Sequence, residues 1–277
     1  MGARWRVGVV VLGWVGCVGI LAACGDDGSA LEDGGSDTGA GAGSAGSGAG
    51  SAGSGAGSAG SGASGAGAGP GGGCALEEET HSGEGTYYAA DGSGNCSFPP
   101  SPGDLLVAAM NQTDYAGSAA CGACIEVEGP VGTVTVRIVD RCPECLPGDV
   151  DMSPEAFAHV AAMESGRVPI TWRYVGCGLS GSVVYHFKDS SNPWWMQVQV
   201  RNHRYPIAEF AVRTEDGQYV ALARENHNYF TGEGLGEGPF TFRVTDTLGN
   251  VIEDAGIPLL DNAEAPGAAQ FPACSAM

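Results

Sequence analysis

Two aspartates stand at the ends of one short loop in the stretch RIVDRCPECLPGDVDMSPEAF, residues 137–157. Asp140 closes an alternating apolar run. Asp151 stands just before a helix start, where Ser153 can cap and Pro154 suits the first turn. Carboxylates accept several hydrogen bonds and can carry a proton, so a pair held this way is the lining a polar groove needs. The loop also holds Cys142 and Cys145. With Cys121 and Cys124, 17 residues upstream, they have the spacing of a four-thiolate zinc site. Export argues for the other reading: the eight cysteines from Cys74 onward pair as four disulfides in an oxidising compartment. No metal or other cofactor is expected.

The elements that must position these residues read as short strands at 85–88, 105–110, 123–128 and 133–139, with Glu128-Gly129-Pro130-Val131-Gly132 turning between the last two. A helix is predicted over 154–163, with Phe157, Val160 and Ala161 on one face, and a half-buried strand over 168–174. Many short strands with one helix suggest a small barrel. Beyond Gly178 the alternation gives strands at 183–187, 196–201, 207–214, 218–224 and 240–245. Asp216-Gly217 and Leu248-Gly249-Asn250 are hairpin signals. Evenly spaced strands without a helix read as a β-sandwich.

Ahead of the folded part lie a leader and a tether. Arg4 and Arg6 precede an apolar run ending Leu21-Ala22-Ala23-Cys24, which resembles the lipobox of bacterial lipoproteins. Cleavage there would leave Cys24 as a lipidated N-terminus, the chain's one tie to a membrane; simple secretion is the alternative. Between Gly41 and Ser61 the heptapeptide GAGSAGS occurs three times. With no side chain larger than Ala it cannot fill a coiled-coil seam, so it reads as a flexible tether spanning about 40 Å. The expected organisation is a signal peptide (1–23), a Gly/Ser/Ala-rich linker (24–73), a barrel domain (74–178) and a sandwich domain (179–277), exported and either lipid-anchored at the envelope or secreted. From Cys74 onward there are 27 acidic and 10 basic residues. That surface argues against nucleic acid and acidic polysaccharides and for a neutral partner. A monomer is expected.

The strings CGACIEVEGP (121–130), RIVDRCPECLPGDVDMSPEAF, the pair Trp194-Trp195 and QVRNHRYPI (199–207), in this order and spacing, resemble microbial expansins over about residues 81–272. The resemblance implies a mainly all-β chain: a six-stranded double-psi β-barrel with a short helix, then an immunoglobulin-like β-sandwich of the family 63 carbohydrate-binding type. It also implies loosening of cellulosic walls without hydrolysis and without a cofactor. The partners implied are cellulose and related neutral β-glucans, with xylan and peptidoglycan as further options.

Carried over residue by residue, Thr86, Asp140 and Asp151 match the polar groove, and Asp151 falls where related family 45 glycoside hydrolases hold their general acid. Inverting hydrolysis needs a second carboxylate roughly 6.5–9.5 Å away; its position here is Ala90, with Asp91 one residue later. Two alternatives therefore stay open: a glycoside hydrolase or lytic transglycosylase using Asp151, and a non-catalytic surface anchor. Trp194 and Trp195 match two of three aromatics of a flat cellulose-binding face, with either His227 or Tyr229 completing the row and Lys188, the chain's only lysine, nearby. Plant relatives imply bridges Cys96–Cys121 and Cys124–Cys177, which leaves Cys142–Cys145 to close the loop between the acids and Cys74–Cys274 to join the chain ends. Cys142 stands where the best-known bacterial relatives have a groove-lining aromatic.

Overall fold

The computed structural model describes Leu76 and residues 79–273. The signal peptide, Cys24, the tether and the expected Cys74–Cys274 bridge lie outside the described residues. Among the described residues no helix is long and apolar enough to cross a membrane.

Six strands form the first half: β1 (His81–Tyr87), β2 (Val107–Asn111), β3 (Cys124–Glu128), β4 (Thr133–Cys142), β5 (Val150–Met152) and β6 (Val168–Val175). They close in the order β1-β5-β2-β4-β3-β6. The pairs β1/β5 and β2/β4 are parallel and the others antiparallel. Closure leaves no free edge, and the interior is filled by side chains such as Met110, Ile125, Ile138, Met152 and Trp172. The helix α1 (Pro154–Val160) closes one side with Ala156, Phe157 and Val160 buried. Ser153 caps it by accepting from the Ala156 N–H at 3.0 Å.

The helix ends at Val160, shorter than the predicted 154–163, because the backbone turns extended at Ala161; a 3-10 turn over Met163–Ser165 follows. The loop between the two acids also ends differently from expectation. Asp151 lies inside β5, a strand of 3 residues, too short to show an alternating pattern.

The second half is a sandwich of two antiparallel sheets. One contains β9 (Ile207–Arg213), β10 (Tyr219–Ala221), β13 (Phe240–Asp246) and β14 (Val251–Ile257) in the order β10-β9-β13-β14. The other contains β7 (Val184–Phe187), β8 (Trp195–Arg201), β11 (Ala223–Arg224), β12 (Phe230–Glu233) and β15 (Ala263–Pro266) in the order β11-β12-β8-β7-β15. Tyr185, Phe187, Phe210, Phe230, Phe240 and Phe242 make the core, an aromatic filling with large buried area per residue. The predicted strand 218–224 is two strands in different sheets. Buried Leu222 sits at the crossing, its N–H donating to the Phe210 carbonyl at 2.9 Å. Strands β12, β14 and β15 carried no sequence prediction. In β14 the inward position 254 is an aspartate rather than an apolar residue, matched by the Tyr185 hydroxyl donating at 2.8 Å and the Ala268 N–H at 2.8 Å.

Candidate functional site: an acidic groove and an exposed tryptophan pair

Pairing register sets the groove. Thr86 in β1 lies opposite Asp151 in β5, Asp151 opposite Ala109 in β2, and Ala109 opposite Asp140 in β4. The three predicted groove residues therefore share one rung of the barrel. With strands ~4.8 Å apart, Asp140 and Asp151 are about 10 Å apart at their Cα atoms.

The two acids are held differently. Asp140 Oδ1 accepts from the main-chain N–H of Asn95 at 2.6 Å and of Arg141 at 2.8 Å, which fixes its carboxylate in place. Asp151 Oδ1 accepts from the Thr86 hydroxyl at 2.5 Å. Burial pushes the Asp151 carboxyl above the ordinary carboxylate range against the pull of the Thr86 hydrogen bond. Among charges, Glu144 and Asp140 add to the rise and Arg167 opposes it. Asp151 therefore holds its proton more readily than an ordinary carboxyl does.

Sequence reasoning passed over Tyr88, although the Thr86-x-Tyr88 spacing could have signalled it. Its hydroxyl is buried without a hydrogen-bond partner among the described residues. Burial first, then Asp140, Asp151 and Asp91, push its ionisation far up, so it stays a neutral donor facing the acids.

The position where an opposing base is expected is Ala90, with Asp91 one residue later. Ala90 is half-buried against the barrel core. Asp91 is exposed and engaged in its own turn, accepting from the Ser93 N–H at 2.8 Å and hydroxyl at 2.6 Å, which holds its carboxyl below the ordinary range. The charges that bear most on Asp151 are Glu144, Arg167 and Asp140.

The structure pairs Cys96 with Cys121, Cys124 with Cys177 and Cys142 with Cys145. All four sulfurs of the two Cys-x2-Cys pairs are thereby consumed, which overturns the zinc reading, and no cluster suited to a metal occurs among the described residues. The Cys142–Cys145 bridge closes the turn that follows Asp140 and brackets Glu144.

On the sandwich, Trp194 precedes β8 and Trp195 opens it. Trp194 is 77% exposed, Trp195 is half-buried, and the core begins only at Met196. Asn192 Oδ1 accepts from the main-chain N–H groups of Trp194 and Trp195, at 3.0 and 3.2 Å, and the Pro193 and Trp194 carbonyls accept from the Gly236 and Gly234 N–H groups. This bracing holds two adjacent indoles outside the core, where regular alternation would have turned one inward. Along β8 the other outward residues are Gln197, Gln199 and Arg201. Gln197 Oε1 lies 3.3 Å from the His227 ring, and Gln199 donates to the Cys96 carbonyl of the barrel at 2.7 Å. Lys188 is half-buried beside this row, its N–H donating to the Gln197 carbonyl at 2.9 Å.

Tyr229 requires a correction. It is 4% exposed, with its hydroxyl 3.0 Å from His186 Nδ1 and its ring beneath that of His227 at 5.5 Å between centroids. It cannot offer a ring face to a ligand. Of the two candidates for the third position, His227, half-buried, is the one at the surface.

A six-stranded double-psi β-barrel with an acid-bearing rung, followed by a β-sandwich displaying a tryptophan pair, defines the class: a mainly all-β protein of the expansin type. The comparisons agree. The family model described as lytic transglycolase matches residues 107–172, within the barrel. Expansin-YoaJ of Bacillus subtilis is 35% identical over 209 residues, covering 72% of this chain and 89% of its own. Expansin-like protein 2 of Dictyostelium discoideum is 36% identical over 166 residues, covering 55% of this chain and 40% of its own. The crystal structure of apo Clavibacter michiganensis expansin superposes with a TM-score of 0.66 at 30% identity, covering 71% of this chain and 100% of that one. A mutant of that expansin in complex with cellohexaose matches equally well. This chain belongs to the expansin family.

Proposed function

We propose that this protein loosens cellulosic cell walls without cutting them: the sandwich grips an uncharged β-glucan and the barrel groove perturbs contacts between neighbouring chains. The braced pair of exposed Trp194 and half-buried Trp195 carries the reading. Rigid indoles can stack on sugar rings at little conformational cost, and a relative of the same architecture was crystallised with cellohexaose. In the groove, Thr86, Tyr88, Asp140 and Asp151 supply donors, a fixed acceptor and one protonatable acid. Disrupting glucan–glucan contacts needs only tighter binding of a strained arrangement than of the relaxed one. The chain acts outside the cell, tethered through Cys24 or released, as a monomer, and the acidic surface disfavours pectin.

Truncating a tryptophan that dominates an interface costs about 2 kcal/mol or more, so Trp194→Ala with Trp195→Ala is expected to weaken retention on crystalline cellulose about a thousandfold. The wild type should enhance creep of paper or wall strips without releasing reducing ends. Unchanged retention would sink the platform. A second reading, hydrolysis with Asp151 as general acid, is favoured by the raised carboxyl alone; reducing ends released by the wild type and lost in Asp151→Asn would establish it. Retention without any mechanical effect would instead make the protein an anchor, and pull-downs on xylan and peptidoglycan would define its range.

A further inference from the structure

The turn that carries His227 is held by the barrel as well as by its own sheet, where Thr231 Oγ1 donates to Glu225 Oε1 at 2.7 Å. Glu225 and Asn228 close it, the Asn228 N–H donating to the Glu225 carbonyl at 3.1 Å, with Asn228 at φ 66°. Both carbonyls preceding His227 are taken by barrel side chains. Ser118 Oγ donates to the Glu225 carbonyl at 2.7 Å, and the Asn226 carbonyl accepts from Asn95 Nδ2 at 2.8 Å and from the Tyr115 hydroxyl at 2.9 Å. On the far side of His227, Asn228 Nδ2 donates back to the Cys96 carbonyl at 3.2 Å.

Asn95 stands at the centre of this arrangement and faces both ways. Its side chain reaches the sandwich turn, while its main-chain N–H is the 2.6 Å donor to the groove carboxylate of Asp140. The segment around it has little freedom. Cys96 is bonded to Cys121, and a Cβ on Gly94 would lie 2.4 Å from Asp140 Cβ, so the chain lies flat on that acid.

We propose that Asn95 is a positioning residue that fixes the register between the barrel groove and the sandwich platform, by holding the His227 turn at a set distance from Asp140. The inference rests on the reading that groove and platform serve the same glucan. The contacts separate the two roles. Replacing the side chain removes the Asn95 hydrogen bonds to the Asn226 carbonyl and the Tyr115 hydroxyl, leaves Tyr115 alone holding Asn226 from the barrel, and keeps the main-chain hydrogen bond to Asp140. Two sites held in fixed register bind a ligand long enough to reach both as a linked pair, which raises affinity without new contacts, and loosening the register forfeits that gain.

The test is calorimetric titration of the full chain with soluble cello-oligosaccharides of increasing length, comparing wild type, Asn95→Leu and Ser118→Ala. The wild type should gain affinity steeply with length. Asn95→Leu should keep the Kd for short ligands within about twofold and lose about tenfold for long ones, with the Asp151 titration by carboxyl NMR unmoved. Ser118→Ala, which cuts the neighbouring tie, should show a smaller loss of the same kind. If the wild type shows no gain with length, the shared-glucan reading fails. If the wild type shows the gain and Asn95→Leu retains it, the role of Asn95 fails while that reading stands. Should Asn95→Leu not fold, full retention of the gain in Ser118→Ala overturns the proposal.

Discussion

Asp151 and Asp140 sit two strands apart on one rung and are held by different donors. Asp140 accepts two main-chain N–H groups, whereas Asp151 has the Thr86 hydroxyl and otherwise burial. Around Asp151, Thr86 faces it from β1, Asp140 from β4, Glu144 from the bridged turn and Arg167 from the segment before β6, where Arg167 also pairs with Glu84 at 2.6 Å. Carboxyl NMR should therefore find the Asp151 midpoint above the ordinary value. Glu144→Gln should lower it, though burial will keep it elevated, and Arg167→Ala should raise it. The stability sign follows from the raised value. Across the window from the ordinary carboxylate pKa up to the native one, the folded state binds the proton more often, so stability falls as pH rises. Asp151→Asn should flatten that part of the profile; an unchanged profile would mean that burial is not what shifts the group.

The three bridges close loops of very different size, with sequence separations of 3, 25 and 53 for Cys142–Cys145, Cys96–Cys121 and Cys124–Cys177. On a loop-entropy argument their removal costs about 1.5, about 3.5 and about 4 kcal/mol respectively. Urea unfolding of the three paired Cys→Ser variants should reproduce that order, and a large loss from the smallest loop would show that its turn organises more than the groove rim. Legibility in the sequence also varies by element. Strands with strict alternation, such as β4 and β6, and the helix with its Ser-Pro start were readable because each carries a local signal. β5 was not, because its 3 residues are defined only by partners on β1 and β2. β14 was hidden by the inward Asp254, and β12 by Gly232 and Glu233 in a glycine-rich stretch. The groove acids were legible by type, while their shared rung depends on register, which no local pattern encodes. The burial of Tyr229 was not legible either, since it follows a left-handed residue, Asn228, that no alternation anticipates.

At the scale of the whole molecule, barrel and sandwich act as one unit only while their junction holds, and that junction contains a buried histidine. His203 is 2% exposed, its Nδ1 lies 2.8 Å from the Tyr205 carbonyl, and its ring presses on Gly122 of the barrel, where a Cβ would come within 2.5 Å of Nε2. The Tyr205 carbonyl favours the charged form, but burial outweighs it, and Arg224 and Arg137 add to the cost, so the pKa falls from 6.5 to about 4. A depressed histidine value means that the unfolded chain takes up the proton first as pH drops. The neutral ring's contribution is therefore complete above about pH 6.5 and is lost progressively down through about pH 4. Integrated over that window the loss is about 3 kcal/mol. His203→Asn keeps a donor for the Tyr205 carbonyl and removes the titration. Urea unfolding at pH 7, 5.5 and 4 should show the wild type weakening by that amount relative to the variant. If the two fall in parallel, carboxylates rather than this ring set the acid limit. If they diverge as expected, acid weakens the same junction that holds groove and platform in register, and mechanical activity should fall with it below about pH 4 before cellulose retention does.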